Sequence, residues 1–232
     1  MPFRGFDERV AEARVRIAEA LARGGHGQDV RLVAVTKTHG PGAVEAAVRA
    51  GVADVGENKV QEALDKQAMV RAAYAWAGDV RWHLIGHLQR NKVKYLDAFS
   101  LLHAMDRASL ADAVHEFGMR RGRPVDVLVQ VNVAGEAAKG GYEPAEWDAE
   151  ADRLRALTGL RVMGVMTMAP FDADEATLRR VFEGARRARE LLVRTGHAAG
   201  ELSMGMSDDY EIAVEEGATM VRLGTVLFGA RE

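Results

Sequence analysis

The chain has 232 residues, a formal net charge of −3, 28% charged residues and no cysteine. That length allows one large core, the near-balanced charge offers no electrostatic footprint for nucleic acid or an anionic membrane, and the missing thiols exclude disulfides, thiolate metal sites and a cysteine nucleophile. No apolar run approaches the ~20 residues that span a bilayer, and the opening MPFRGFDERVAEARVRIAEALARGG has no signal-type apolar core, so a cytoplasmic protein with a small-molecule partner is expected.

The first 25 residues space Val10, Val15, Ile17, Ala20 and Leu21 as an amphipathic helix. RLVAVTK then predicts a strand over residues 31–37, ended by Lys37, one of only six lysines in the chain. A helical pattern over 41–50 leads to a strand over 53–58, and a helix over 60–75 to a strand over 81–86. Strands over 100–105, 125–132 and 160–167 alternate with helices over 109–121, 145–157 and 173–194. The last units are a strand over 201–204, a helix opened by Asp208 and Asp209, and a strand over 220–226. Eight strands with short connections predict an α/β fold, a (β/α)8 barrel forming one domain over 1–232 with residues 1–25 as an extra helix packed on it. A doubly wound open sheet is the competing arrangement. The count of eight favours the barrel, as do the polar residues Lys37, Asn58, Asn132, Thr167, Ser203 and Thr225 at strand ends, where ligands bind in either architecture.

Burying an ammonium group at a strand end is costly, and desolvation turns it toward the neutral amine that attacks aldehydes. A rim lysine snorkelling to water is the plain alternative for Lys37. The closing segment ELSMGMSDDYEIAVEEGATMVRLGTVLFGARE supplies a partner: Ser207, Gly224 and Thr225 fall in the loops after the seventh and eighth strands, the usual phosphate site of this barrel. Asp208 and Asp209 are negative beside that site and are expected to point outward, where they and Ser207 equally suit helix capping. Counting by twos places Arg222 on the face of Met220 and Gly224, one layer deeper in the barrel, where its charge requires a buried carboxylate or ligand acceptor. A phosphate-bearing aldehyde fits these parts, and pyridoxal 5′-phosphate is the common cofactor of that shape.

Other motifs are weaker. His83 and His87 straddle a strand end with no third ligand and read as a satisfied strand histidine and a loop histidine, not metal. Gly205-Met206-Ser207-Asp208-Asp209 lacks the last glycine of a serine-hydrolase elbow, no dinucleotide fingerprint follows any strand, and the methionines mostly fill core.

Through VAVTK, GENKVQEA, WHLIGHLQRNK, VQVNVAGEAAKGG, GLRVMGVMTM and LSMGMSDDYEIAVEEGATMVRLGTVLFG the sequence resembles the pyridoxal phosphate homeostasis protein family, itself similar to the barrel domain of alanine racemase. That resemblance implies Lys37 as the Schiff-base lysine, Ser207, Gly224 and Thr225 at the phosphate, Arg222 at the pyridine nitrogen and Asn58 at the ring side. It implies Met166, Ser203, Met204 and Met206 in the pocket walls. The chain departs from many relatives in carrying His39 where a second basic residue stands, and Lys139 matches a family lysine that reads equally as a solvated loop residue.

An arginine at the pyridine nitrogen weakens the ring as an electron sink. Racemases tolerate this but need an acid or base on each face of the substrate, and in the alanine racemases a tyrosine tied to an extra β domain fills one face. The sequence given ends six residues after its eighth strand, and Tyr74, Tyr95, Tyr142 and Tyr210 fall in helices or connections. A non-catalytic, monomeric carrier of pyridoxal phosphate is therefore expected, and the resemblance implies a role in vitamin B6 and amino-acid homeostasis with cofactor-dependent apoenzymes as partners. An amino-acid racemase, and more remotely a Schiff-base aldolase, are the alternatives.

Overall fold

In the computed structural model, which describes residues 3–136 and 139–229, the eight strands close in chain order into one parallel barrel. They are β1 (Arg31–Val35), β2 (Asp54–Glu57), β3 (Arg81–Leu84), β4 (Leu101–Met105), β5 (Val125–Gln130), β6 (Leu160–Met166), β7 (Glu201–Ser203) and β8 (Met220–Leu223). Outside them lie α1 (Phe6–Gly24), α2 (Pro41–Arg49), α3 (Val60–Ala73), α4 (Ala108–Arg120), α5 (Trp147–Arg155), α6 (Glu175–Arg194), α7 (Tyr210–Glu215) and α8 (Thr225–Phe228). Met1 and Pro2 at the start of the expected first helix, Ala137 and Ala138 within the GEAAKGG motif, and residues 230–232 at the end of the closing segment fall outside the described residues.

Several expected boundaries move. All the strands but β4 stop one to three residues early, so that Lys37, Asn58, Asn132 and Thr167 lie just beyond them. Thr225 and Val226, expected in the eighth strand, open α8 instead. Between β3 and β4 the chain runs through a 3₁₀ segment, Arg90–Ala98, in place of an α-helix.

Two apolar clusters form. The larger lies between strands and helices: Phe182, Leu192 and Val181 of α6 and Val10 and Ala13 of α1 meet the outward residues of the strands, such as Val127, Val129, Val165 and Leu202. Helix α1 rests against α7, α8 and α2 on the outer side of the barrel, with Arg9 donating to the Leu227 carbonyl and Arg23 paired with Glu215. The second cluster, Leu101, Ala104, Leu128, Met166 and Met220, takes its members from four strands and no helix, and lies in the barrel interior.

Two irregularities shape that interior. In β6 the register against β5 shifts after Val127, leaving Met163 as the extra residue of a bulge. Gly164 follows at φ 155°, where a Cβ would stand 1.9 Å from the Glu201 carbonyl oxygen, so only glycine fits. In β4 the register shifts between Leu102 and Met105. Both His103 and Ala104 thus face inward.

Candidate functional site

A cavity of about 690 Å³ opens at the C-terminal ends of the strands. Lys37, Asn58, Met206, Ser207, Arg222, Gly224 and Thr225 all line it. Met166, Ser203 and Met204, expected in the walls, do not. Ser203 and Met204 are consecutive and face opposite sides of the sheet: Met204 joins the outer core, and Ser203 is buried beneath the cavity floor against Arg222. Met166 packs lower, in the interior apolar cluster.

Lys37 follows β1 on a turn whose next residue, Thr38, holds φ at 68°, a conformation rare for a β-branched residue. The Thr38 N–H donates to the Glu62 carboxylate of α3 at 2.6 Å, which anchors that turn. The residues preceding Lys37 and Asn58 are clamped together behind the cavity. Lys66 of α3 donates to Glu57 Oε1 (2.5 Å) and to the Thr36 carbonyl (2.7 Å), and the Thr36 hydroxyl donates to the same Glu57 oxygen (2.5 Å). Burial pushes the Glu57 carboxyl up, against the opposing bonds from Lys66 and Thr36. A buried lysine, placed by α3 rather than by a strand end, thus supports the turn that carries the half-buried Lys37.

Across the cavity, the loops after β7 and β8 meet. The Ser207 hydroxyl accepts the Val226 N–H at 3.1 Å, leaving its own O–H to donate into the cavity. Gly224 has no side chain, and a Cβ there would meet only Val35, at 3.5 Å, so the space above it belongs to the cavity. Asp208 is exposed, as expected, but Asp209 is not. Its Oδ1 turns inward to accept the Met206 N–H at 2.5 Å, closing the 206–209 turn, and burial pushes its carboxyl up. The turn's own unpaired amide, not the following helix, claims that carboxylate.

Arg222 forms the floor. Nη1 donates to the Ser203 carbonyl (2.7 Å) and hydroxyl (2.6 Å), and Nη2 donates to the Thr167 carbonyl (3.0 Å). Where a carboxylate or ligand atom was expected, these direct acceptors are neutral. Burial draws the guanidinium down to about 10, with the charge of Asp209 opposing, so it stays cationic at neutral pH. The cavity therefore has a positive floor with N–H donors to spare.

Lys139 lines the same cavity rather than standing in solvent, its ammonium donating to the Ala169 carbonyl (2.6 Å) and facing the Glu136 carboxylate (3.2 Å). His39 also lines it and packs its ring against Phe3 (5.5 Å between centroids) and Phe228 (4.9 Å). Sequence reasoning missed Asp106 and Gln130, which also line the cavity. Polar residues at strand ends were the available signal for both. His83 is buried and His87 pairs with Asp106 at 2.7 Å; among the described residues no three histidine, aspartate or glutamate side chains converge as metal ligands. Nor does any helix among them have the length and apolarity to cross a membrane.

Residues 11–232 match the family described as the N-terminal domain of alanine racemase. The chain is 39% identical over 228 residues to the pyridoxal phosphate homeostasis protein of Aquifex aeolicus, covering 97% of this chain and 98% of that one. It is 41% identical over 227 residues to the protein of the same name from Pseudomonas aeruginosa, covering 97% and 95%. Among solved structures, PipY of Synechococcus elongatus with pyridoxal phosphate bound superposes with a TM-score of 0.84 at 35% identity, over 97% of this chain and all of that one. Alanine racemase from Corynebacterium glutamicum shares the fold alone, with a TM-score of 0.70 at 18% identity over 93% of this chain and 60% of that one. With its closed eight-stranded barrel and full-length likeness to these relatives, the chain belongs to the pyridoxal phosphate homeostasis protein family.

Proposed function

We propose that this protein holds pyridoxal 5′-phosphate covalently through Lys37 and acts as a non-catalytic carrier in vitamin B6 and amino-acid homeostasis. One observation carries the reading: a single cavity gathers a lysine after β1, hydroxyl groups after β7 and β8, and an arginine held by neutral acceptors at its floor. When bound, the cofactor supplies an aldehyde carbon to which a primary amine attaches. Lys37 offers that amine. Ser207 and Thr225 would donate to the phosphate, with Gly224 leaving it room. Arg222 directs its remaining N–H donors at an aromatic ring nitrogen, and being cationic it opposes protonation there. That restrains the ring as an electron sink, which suits holding the cofactor better than turning it over. Apoenzymes that require the cofactor are the partners this role implies.

The racemase alternative needs a second proton donor above the ring. No tyrosine among the described residues lines the cavity, and Lys139, the other amine there, is engaged by Ala169 and Glu136. The test is the visible spectrum of the protein purified without added cofactor, followed by borohydride reduction and peptide mapping. A yellow protein labelled at Lys37 is expected; a colourless protein, or label on another residue, refutes the assignment. Exchange of the α-hydrogen of L-alanine with deuterated solvent, which a carrier should not catalyse, would establish the racemase instead.

A further inference from the structure

Below the cavity floor, side chains from five strands form one unbroken hydrogen-bonded line through the barrel. Arg222 Nη1 lies 2.6 Å from Ser203 Oγ, and Ser203 Oγ lies 2.9 Å from His103 Nδ1. His103 Nε2 is 2.9 Å from His83 Nδ1, and His83 Nε2 is 2.9 Å from Asp54 Oδ1. All five residues are buried. Asp54 is the first residue of β2, at the mouth opposite the cavity, where the half-exposed Arg81 grips its carboxylate at 2.8 and 2.5 Å.

The two ends dictate the direction of the line. Arginine only donates. Burial alone would raise the Asp54 carboxyl, but hydrogen bonds from His83 and Arg81 outweigh it and hold the group at about 2, so this end only accepts. Burial, helped by the charge of Arg222, drives His103 well below its ordinary value and keeps it neutral. With one ring proton on each imidazole, which the nitrogen-15 spectrum below tests, one arrangement satisfies every atom. Ser203 donates to His103 Nδ1, His103 Nε2–H donates to His83 Nδ1, and His83 Nε2–H donates to Asp54. Each dipole then turns its negative end toward Arg222. The line thus answers the question left by the guanidinium, whose direct acceptors carry no charge: hydrogen bonds in series polarise one another in a medium of low dielectric.

We propose that Ser203, His103, His83 and Asp54 are positioning residues, a relay of fixed direction that transmits the negative charge of Asp54 across the barrel and holds Arg222 charged and aimed at the cavity floor. For the ligand that Arg222 meets, the ring nitrogen of pyridoxal phosphate, this rests on the function proposed above; for the direction of the relay it does not.

Nitrogen-15 NMR of histidine-labelled apoprotein tests the direction at neutral pH. His103 and His83 should each show a bare Nδ1 and a protonated Nε2, and a protonated Nδ1 on either ring overturns the relay. The cofactor then tests the consequence. Asp54→Asn keeps the shape but lets an amide N–H face His83 and reverse the line. It should weaken cofactor affinity roughly tenfold, a loss of the order of one charged hydrogen bond, and shift the pH dependence of the bound cofactor's absorption. Arg81→Gln, which disturbs the same mouth but leaves the Asp54 charge in place, should leave affinity and spectrum unchanged. Equal effects from the two variants, or none from Asp54→Asn, would refute transmission. A wild-type protein that takes up no cofactor would refute the proposed function, and the apoprotein NMR would still decide the relay.

Discussion

The two sides of the barrel wall are made of different materials. Outside, between strands and helices, the packing is carried by apolar side chains such as Phe182, Leu192, Val165 and Leu202, with the Thr36, Glu57 and Lys66 cluster as a polar inclusion. Inside, five apolar residues form a small cluster beside a line of arginine, serine, two histidines and aspartate. Apolar packing is non-directional and is set by area and volume, whereas a buried polar line is satisfied by few geometries and is costly when broken. Stability and chemistry are thereby assigned to opposite faces of the same strands, and substitutions on each face should be felt in different measurements.

The largest effect is expected at the top of the interior. Lys37→Ala should abolish the covalent cofactor and its visible band while thermal unfolding stays cooperative, because Lys37 follows β1 and contributes nothing to either apolar cluster. An unchanged spectrum would break the comparison at its most important point. Next comes the pair Ser207→Ala with Thr225→Val, in which each charge-assisted bond to a phosphate is worth roughly 1.5–3 kcal/mol. Equilibrium titration should show cofactor affinity falling by orders of magnitude with little change in melting temperature. Unaltered affinity would remove the phosphate from those loops.

The same division explains what could be read from the sequence. The outer face obeys periodicity: the eight strands, their order and most helices follow from apolar spacing, and Arg222 lies on the face that counting by twos assigns. The interior obeys three-dimensional closure. LLHAM, around His103, reads as one apolar strand, and nothing local announces that its histidine meets His83, Ser203 and, through them, Arg222. The register shift that turns both His103 and Ala104 inward defeats strict alternation. Asp209 was misplaced for a related reason: helix-end electrostatics were visible in the sequence, but the unpaired Met206 N–H that captures its carboxylate was not. Met204 fails on alternation itself, since Ser203 already occupies the inner face.

A substitution in the outer layer sharpens the contrast from the other side. Phe182 of α6 is fully buried in the outer cluster, and Phe182→Ala should cost about 3–5 kcal/mol of folding stability, measured by urea unfolding. The spectrum of the folded fraction should stay that of the wild type. A spectral change would show that the two faces are coupled through the wall.

The smallest expected effect is acid sensitivity, and it belongs to the interior. The carboxyl of Asp54 is held at about 2, below its ordinary 3.8, once the bonds from His83 and Arg81 have overcome the penalty of burial. A carboxyl depressed by folding stabilises the native state above its unfolded value, and that contribution disappears as the pH falls through the folded value. Asp54 should therefore contribute about 2 kcal/mol at neutral pH, lost between about pH 4 and pH 2. In urea titrations across that range the wild type should lose this increment and Asp54→Asn should not, so that their stability curves converge toward low pH. Phe182→Ala, which touches no ionisable group of the interior, should keep a constant offset from the wild type throughout. Convergence for one variant and a fixed gap for the other would separate charge from packing within a single experiment, whereas parallel curves for both would mean that the far mouth of the barrel does not hold its carboxylate as the geometry requires.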